Sequence, residues 1–330
     1  MYSKKMSIIA IITMFYACAS HASVSLSAAQ QFQLFQEKYH KVYASPAIAE
    51  YRKKVFADNL AKIQKQNAEH HSYQLGINEF ADQTWEEFSE THLMNPGWQL
   101  QFSKQFGGKN FQPAKASPVV LDVDWRARGA VTPVKNQGQC GSSWAFATTG
   151  LIEGAGQIQT GTLHSLSEQE FLDCNTSNAA CYGGQIDKAL SFAMDGITTE
   201  ASYPYTARAG ACRSSTPIIQ VNSYSEVTPN DEGALGAAVS QQPIAVGVQA
   251  DPAIFQFYHS GIITASANCG AVLNHALLIV GFTSEYWIVK NSWGTSWGSS
   301  GYVFIQRNSN ANGGAGVCGI ASYPWAAQAS

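Results

Sequence analysis

Six cysteines constrain this chain more tightly than any other feature. Cys140, Cys174, Cys181, Cys212, Cys269 and Cys318 all follow residue 139, and the seventh, Cys18, stands near the N-terminus. Lys4 and Lys5 precede the apolar stretch Ile8–Ala19, and Ser20-His21-Ala22 then sets small residues around one larger one. That pattern reads as a signal peptide over residues 1–22, removed together with Cys18. Export places the other six thiols in an oxidising compartment, where an even set implies three disulfides, although spacing alone leaves the pairing open. The expected destination is the secretory pathway, ending outside the cell or in a lysosome or vacuole. No C-x-x-C pair occurs and the histidines do not cluster with the cysteines, so no metal site and no cofactor are expected. Asn175-Thr176-Ser177 is a glycosylation sequon of low specificity.

Composition removes further classes. Of 330 residues, 45% are apolar and 13% charged, which is ample material for a core and too little charge for a disordered chain. The net charge is −3 with no block of like charge, so no nucleic-acid partner is expected. No apolar run reaches the ~18 residues that span a bilayer, so no membrane insertion is expected. A monomer is anticipated. Charge divides unevenly: residues 23–118 carry ten Lys/Arg against nine Asp/Glu, and residues 119–330 carry eight against fourteen. Two units with a weak mutual attraction fit that division.

Periodicity outlines the same two units. Ser27 with Gln30 resembles a capping box, with Phe32, Phe35 and Tyr39 on one helical face. A second helix begins after Pro46, with Ile48, Tyr51, Val55 and Ile63 at a 3.6-residue period. Residues 95–118, rich in Gly, Pro, Gln and Lys, read as a linker. Beyond it, Ser143 to about Thr160 has helical spacing through Trp144, Thr148, Leu151, Ile152 and Ala155. Ser167-Glu168-Gln169-Glu170 reads as a capping box, and Gly184–Met194 as a helix stopping at Gly196. From about residue 240 the signal changes to strands at Ile244–Val248, Ala276–Phe282, Tyr286–Lys290 and Tyr302–Gln306. A helical half thus precedes a β-rich half, and a cleft between two such halves is a common place for a site.

Three short segments concentrate the chemistry. Pro133-Val134-Lys135-Asn136-Gln137-Gly138-Gln139-Cys140-Gly141-Ser142-Ser143-Trp144-Ala145-Phe146 opens the first helix of the large unit, and Asn274-His275-Ala276 and Asn291-Ser292-Trp293-Gly294 follow far downstream. Singly, each residue has an ordinary reading: Gln137 a loop residue, His275 a core histidine, Asn291 a turn former, Trp293 core, and Ser143 a helix cap. Jointly, with His275 and Asn291 lying 132 and 148 residues after position 143, the chain resembles the papain family of cysteine peptidases. Upstream, Arg52, Phe56, Asn59, Ile63 and Asn67 resemble the helical motif of family propeptides, with Ile48 departing from the motif's leading Glu. Gly76-Ile77-Asn78-Glu79-Phe80-Ala81-Asp82 resembles the second propeptide motif.

The resemblance implies an α+β, papain-like fold of two lobes, helical on the left and β-barrel-like on the right. It implies a signal peptide over 1–22, a helical inhibitory propeptide over 23–118 and a peptidase domain over 119–330. In the family the propeptide runs through the cleft in reverse and blocks it. A cathepsin L-like endopeptidase acting on peptide and protein substrates is implied, because no long histidine-bearing insertion follows Cys181-Tyr182-Gly183-Gly184. The implied disulfides are Cys140–Cys181, Cys174–Cys212 and Cys269–Cys318. Gln137 and the Ser143 backbone N–H are implied to face the oxyanion, Asn291 to orient His275, and Trp293 to shield that bond. Gly183 and Gly184 are expected to pair with an extended peptide. Gln185, Ile186, Gly247, Leu273 and Ala276 are expected to line a pocket for an apolar side chain two residues before the cut. Its floor is in doubt, because Cys318-Gly319-Ile320-Ala321-Ser322-Tyr323-Pro324 is shorter than the family's usual ending.

Position 143 departs from the family, which carries its nucleophilic cysteine there. Pairing with histidine lowers a papain-type thiol from about 8.5 to about 3–4, roughly 7 kcal/mol in favour of the thiolate–imidazolium state. A serine hydroxyl forms no resting alkoxide, so Ser143 can attack only if His275 takes its proton during the reaction. The neutral Asn291 supports a developing imidazolium less than a carboxylate does. The expectation is a peptidase precursor of strongly reduced activity. Alternatives are an inactive pseudopeptidase that binds peptides or a cystatin-like inhibitor, and silicatein-like chemistry on silica precursors by a Ser-His-Asn site. The last ranks lowest, because no conspicuous serine-rich stretch lies near His275.

Overall fold

The computed structural model describes residues 26–98 and 122–330. The leader expected at 1–22 and most of the expected linker lie outside the described residues. Helix α1 (Ala28–Lys38) starts on the full capping box of Ser27 and Gln30, and α2 (Pro46–Ala68) starts on Ser45 with Pro46 in its first turn. Phe32, Phe35, Phe56 and Leu60 bury one small core between them. Ile48 and Tyr51, expected on the inner face of α2, are exposed, because α1 packs farther along the helix, on Phe56 and Leu60, and Ile63 beyond them joins the core of Tyr73 and Leu75. The polar motif residues have structural partners. Arg52 Nη1 pairs with Glu87 Oε2 at 2.6 Å, Asn59 Nδ2 donates to the carbonyls of Ala81 and Gln83, and Asn67 exchanges two hydrogen bonds with Leu75. Strand β1 (Tyr73–Leu75) and helix α3 (Trp85–His92), the latter capped by Thr84 and Glu87, complete this unit.

In the larger unit, β2 (Val123–Asp124) leads to α4 (Ser143–Thr160), which matches the expected helix at both ends and is buried from Ser143 through Gly156. Then come α5 (Glu168–Cys174), α6 (Ile186–Phe192), β3 (Val221–Glu226), α7 (Glu232–Val239), β4 (Ile244–Val248), α8 (Pro252–Phe257) and β5 (Tyr258–Ile263). Strands β6 (His275–Phe282), β7 (Tyr286–Lys290), β8 (Tyr302–Gln306) and β9 (Trp325–Ala329) follow. The capping box expected at Ser167 is half formed. Ser167 Oγ accepts from Glu170 N–H, but the Glu170 carboxylate turns to the Thr198 N–H and to Ser215.

The strands form one ladder in the order β1-β5-β8-β7-β6-β4-β9-β3, with β2 added on β6. The right lobe was expected to be barrel-like; this ladder is open, with β1 and β3 at its ends. Every residue of β6 is buried. Ala276, Leu278 and Val280 join one core with α4 and α6, while Leu277 and Ile279 join the core on the other face; past the irregularity between Ile279 and Gly281, Phe282 joins that second core too. The two-residue period of a strand thus sends alternate side chains into the two lobes, and a strand buried on both faces reads as an unbroken apolar run. The three disulfides are Cys140–Cys181, Cys174–Cys212 and Cys269–Cys318. Among the described residues, no helix is long and apolar enough to cross a membrane.

The N-terminal unit docks through backbone. β1 pairs antiparallel with β5, Asn78 Nδ2 donates to the Gln256 carbonyl at 2.7 Å, and Glu79 accepts from Ser296 Oγ. At Gly261 (φ +83°) a Cβ would stand 2.3 Å from the Ser72 carbonyl oxygen, so only glycine permits this approach. Gly261→Ala is therefore expected to weaken docking by about 1–3 kcal/mol, as overpacking does. Limited proteolysis of the full chain should then remove residues 26–98 faster by roughly one to two factors of ten, with the core around β6 still resistant.

Candidate active site

Helix α4 and the sheet bring together the residues singled out in three separate segments. Val248 is opposite His275 in the β4–β6 ladder, and Lys290 is opposite Leu278 in the β6–β7 ladder, so His275 and Asn291 emerge at the same end of the sheet. Ser143 opens α4, which packs against β6. Ser143, His275 and Gln137 are fully buried, and Asn291 nearly so.

The hydrogen bonds fix the tautomer of His275. Asn291 Oδ1 accepts from the Ser292 backbone N–H at 2.8 Å. A backbone nitrogen only donates, so this atom is the amide oxygen. The same oxygen lies 2.8 Å from His275 Nε2, which must therefore carry the ring hydrogen. His275 Nδ1 is left with its lone pair and, among the described residues, without a hydrogen-bond partner. The Trp293 indole covers the pair, its ring 4.5 Å from the imidazole. Burial pushes the His275 pKa down to about 4, against the Asn291 hydrogen bond, with a small further push from His92.

Ser143 does not cap its helix. Ser142 is the capping position and makes no capping bond, because its hydroxyl pairs with Tyr205 Oη at 2.6 Å. Ser143 Oγ instead accepts from the Ala276 backbone N–H at 3.1 Å and makes no hydrogen bond to His275 Nδ1. Gln137 Oε1 accepts from Ser292 Oγ at 2.6 Å, which turns the Gln137 amide nitrogen toward two carbonyls. One is Cys140, at 2.7 Å; the other is His92, at 2.9 Å, from the N-terminal unit. Where an oxyanion was expected, the Gln137 amide meets the carbonyl of a segment lying in the cleft.

That segment bridges the two walls. Met94 N–H donates to the Asn274 carbonyl at 3.0 Å, and Asn95 N–H to the Tyr182 carbonyl at 2.9 Å. The Leu93 carbonyl comes so near Gly141 that a Cβ there would stand 2.6 Å from its oxygen. Met94 is buried in the same apolar cluster as Ile186, Leu273 and Ala276, three of the residues expected to line the specificity pocket. Gly247 pairs with Ala276 in the ladder, and Gln185 Oε1 accepts from Tyr323 Oη at 3.3 Å. Gly183 donates to the Ala180 carbonyl and its own carbonyl accepts from Ala179, so the cleft segment bonds to Tyr182 instead. On its Cβ side Gly184 is packed, since a Cβ there would lie 2.6 Å from the Trp144 ring. Asn175 is 5% exposed and its amide donates to the Lys188 carbonyl at 3.3 Å.

Sequence reasoning passed over four residues of this site. Ser292 orients Gln137, and its signal was its place between Asn291 and Trp293. Ser142 and Tyr205 brace the Gln137 carbonyl side of the loop. His92 is buried between Phe80 and Phe88, whose rings also abut Trp293, and nothing local in the sequence marks it. Among the described residues, no group of His, Cys, Asp and Glu is placed to hold a metal.

Known proteins place this architecture. Residues 119–328 match the family model of papain family cysteine proteases, and residues 32–88 that of the cathepsin propeptide inhibitor domain. The chain belongs to the papain family. It is a papain-like, cathepsin L-type cysteine protease precursor with its own propeptide. It is 41% identical over 307 residues to the probable cysteine protease RDL6 of Arabidopsis thaliana, covering 89% of this chain and 85% of that protein. Among solved structures it is similar to a recombinant stem bromelain precursor (35% identity, TM-score 0.83, 91% of this chain and 98% of that one). It is likewise similar to the digestive procathepsin L 3 of Tenebrio molitor larval midgut (38% identity, TM-score 0.82, 92% and 100%).

The electrostatics give a site-resolved expectation. A histidine whose pKa is lowered from 6.5 to about 4 stays neutral in the folded chain while its unfolded counterpart takes up a proton across that interval. The His275 ring resonances of the full-length chain should therefore titrate near pH 4 by NMR; a midpoint near 6.5 would contradict the buried, neutral imidazole.

Proposed function

We propose that this chain is the zymogen form of an endopeptidase that hydrolyses peptide bonds in proteins, and that Ser143, at the position of the nucleophilic cysteine, leaves its turnover strongly reduced. The observation that carries this reading is the Ser143 hydroxyl: its oxygen accepts from the Ala276 N–H and does not meet the Nδ1 lone pair of His275. Attack would require Oγ to leave that bond, rotate to His275 and give up its proton as the carbon–oxygen bond forms. His275 would then carry a positive charge in a site that disfavours it by burial. Gln137, held by Ser292, would donate to the oxyanion once the His92 carbonyl has left. Asn291 keeps Nε2–H engaged, so Nδ1 is the only basic nitrogen.

The position of Met94 supports a preference for an apolar side chain in the pocket of Ile186, Leu273 and Ala276. A second reading, capture of a peptide or a cystatin-like inhibitor without cutting, is favoured by the cleft's ability to hold residues 92–95 through three backbone carbonyl contacts. The domain limits that we assign are a leader over 1–22, a propeptide over 23–118 and a peptidase domain over 119–330, with passage through the secretory pathway.

Ser143→Cys is expected to raise peptidase turnover by roughly 10³ or more, since loss of a nucleophile in a comparable triad costs on the order of 10⁶ and a present hydroxyl recovers some of that. The chain carrying Ser143 should remain at full length after acidification, while the Cys variant trims itself. Equal activity of the two chains on a peptide substrate would sink the reading.

A further inference from the structure

Asn291 lines a cavity of about 20 Å³ as well as the active site. Lys135, Thr149, Glu153, Glu168, Lys290 and Ser292 line the same cavity. Glu168 is 1% exposed, and one of its carboxylate oxygens is fully engaged: Oε1 accepts from Lys135 Nζ and from Thr149 Oγ1, each at 2.6 Å. Its other oxygen, Oε2, is buried and has no hydrogen-bond partner among the described residues. Asn291 is in the complementary position. Its oxygen takes both His275 Nε2–H and Ser292 N–H, while its amide nitrogen Nδ2 is buried and, among the described residues, without a partner.

One unmatched acceptor and one unmatched donor therefore belong to two residues that face a single small cavity. A buried water needs roughly 10–15 Å³ and two or more polar partners, and buried polar groups without partners are rare in native proteins. We propose that this cavity is a one-water site, in which the water donates to Glu168 Oε2 and accepts from Asn291 Nδ2, and that Glu168 is thereby a positioning residue for the His275–Asn291 pair. The line runs from the His275 Nε2–H to Asn291 Oδ1, from Asn291 Nδ2–H to the water, and from the water to a carboxylate held by Lys135. A carboxylate one water away polarises the amide, makes Oδ1 a better acceptor and opposes the amide flip that would reverse the imidazole tautomer. Lys135, shared with Glu153 Oε1 at 3.0 Å, keeps the carboxylate in place. The inference stands on the geometry around Asn291 and not on whether Ser143 turns over substrate, so it and the proposed function fail separately.

The test uses the full chain with Ser143 unchanged. A high-resolution crystal structure is expected to show one density peak within about 2.7–3.2 Å of both Glu168 Oε2 and Asn291 Nδ2. In solution, the Asn291 side-chain amide protons should show an NMR cross-peak to a long-lived water. At a pH well above 7, where the Glu168 carboxyl is ionised, Glu168→Gln keeps the volume and removes the charge; the His275 Nε2–H resonance should then move upfield and exchange faster. Glu153→Gln removes a charge from the other side of Lys135, where Thr132 and the Leu166 N–H engage it; at a pH well above 7, where Glu168 is ionised in either chain, it should leave that resonance in place. Equal effects of the two variants would reduce Glu168 to a generic charge and overturn the positioning role. If Glu168→Gln does not fold, the unsubstituted chain decides alone: an empty cavity, or a water bound to only one of the two atoms, defeats the proposal.

Discussion

Everything in this molecule hangs on the burial of α4 against β6. The helix is enclosed from Ser143 through Gly156, and at Gly154 a Cβ would come within 2.7 Å of Pro243 and 3.0 Å of the Ala130 carbonyl. At Gly150 a Cβ would stand 2.8 Å from the Leu278 side chain of β6, and this packing of helix on strand leaves Ser143 Oγ at the Ala276 N–H and not in open solvent. The same strand divides its side chains between the two cores, so the packing that joins the lobes also fixes the distance between the residues of the site. A change in the volume along α4 would be felt as a change in geometry at position 143, because packed interiors transmit strain rather than absorb it.

The site so formed is electrically quiet. His275 and His92 are both pushed down to about 4 by burial, and Asn291 and Gln137 are neutral amides. The nearest buried charges are grouped behind Asn291, where Lys135 pairs with Glu153 and Glu168. Burial pushes the Glu168 carboxyl up to about 7, although Lys135 opposes it. For Glu153 the attraction of Lys135 and Lys290 wins over burial and holds its carboxyl below the ordinary value. A thiolate–imidazolium pair would have to form against the desolvation that now keeps His275 neutral. A hydroxyl and a neutral imidazole meet no such resistance, and for the same reason they gain no resting nucleophile.

Much of this architecture was legible where the signal was local. Ser27 with Gln30, Pro46 and the run from Ser143 to Thr160 carry their caps and periods in the sequence, and those helices begin where expected. Strands β4, β6, β7 and β8 announce themselves as apolar runs. Strands β1, β3 and β9 do not: Tyr-Gln-Leu, Val-Asn-Ser-Tyr-Ser-Glu and Trp-Ala-Ala-Gln-Ala have no strong intrinsic preference and are strands because of distant partners. Ile48 and Tyr51 failed for the related reason that helical periodicity marks a face but not how far along it a neighbour packs. At the site, the family motif located Gln137, His275 and Asn291. It gave no warning that Ser143 would bond to a strand N–H instead of capping its helix, nor that Ser292 would set the direction of the Gln137 amide.

The propeptide contacts are compatible with either side chain, serine or cysteine, at position 143. Residues 92–95 are held by backbone groups, through the His92 carbonyl and the N–H groups of Met94 and Asn95, while Phe80 and Phe88 rest on Trp293. None of these contacts involves the side chain at position 143. In the function proposed above, exchanging sulfur for oxygen there would leave this fit in place and act on the bond-making step. In that proposal binding and chemistry are separable in this cleft: the walls hold residues 92–95 through carbonyl and amide groups and bury Met94, whereas turnover would depend on how easily a single atom releases a proton to a buried imidazole.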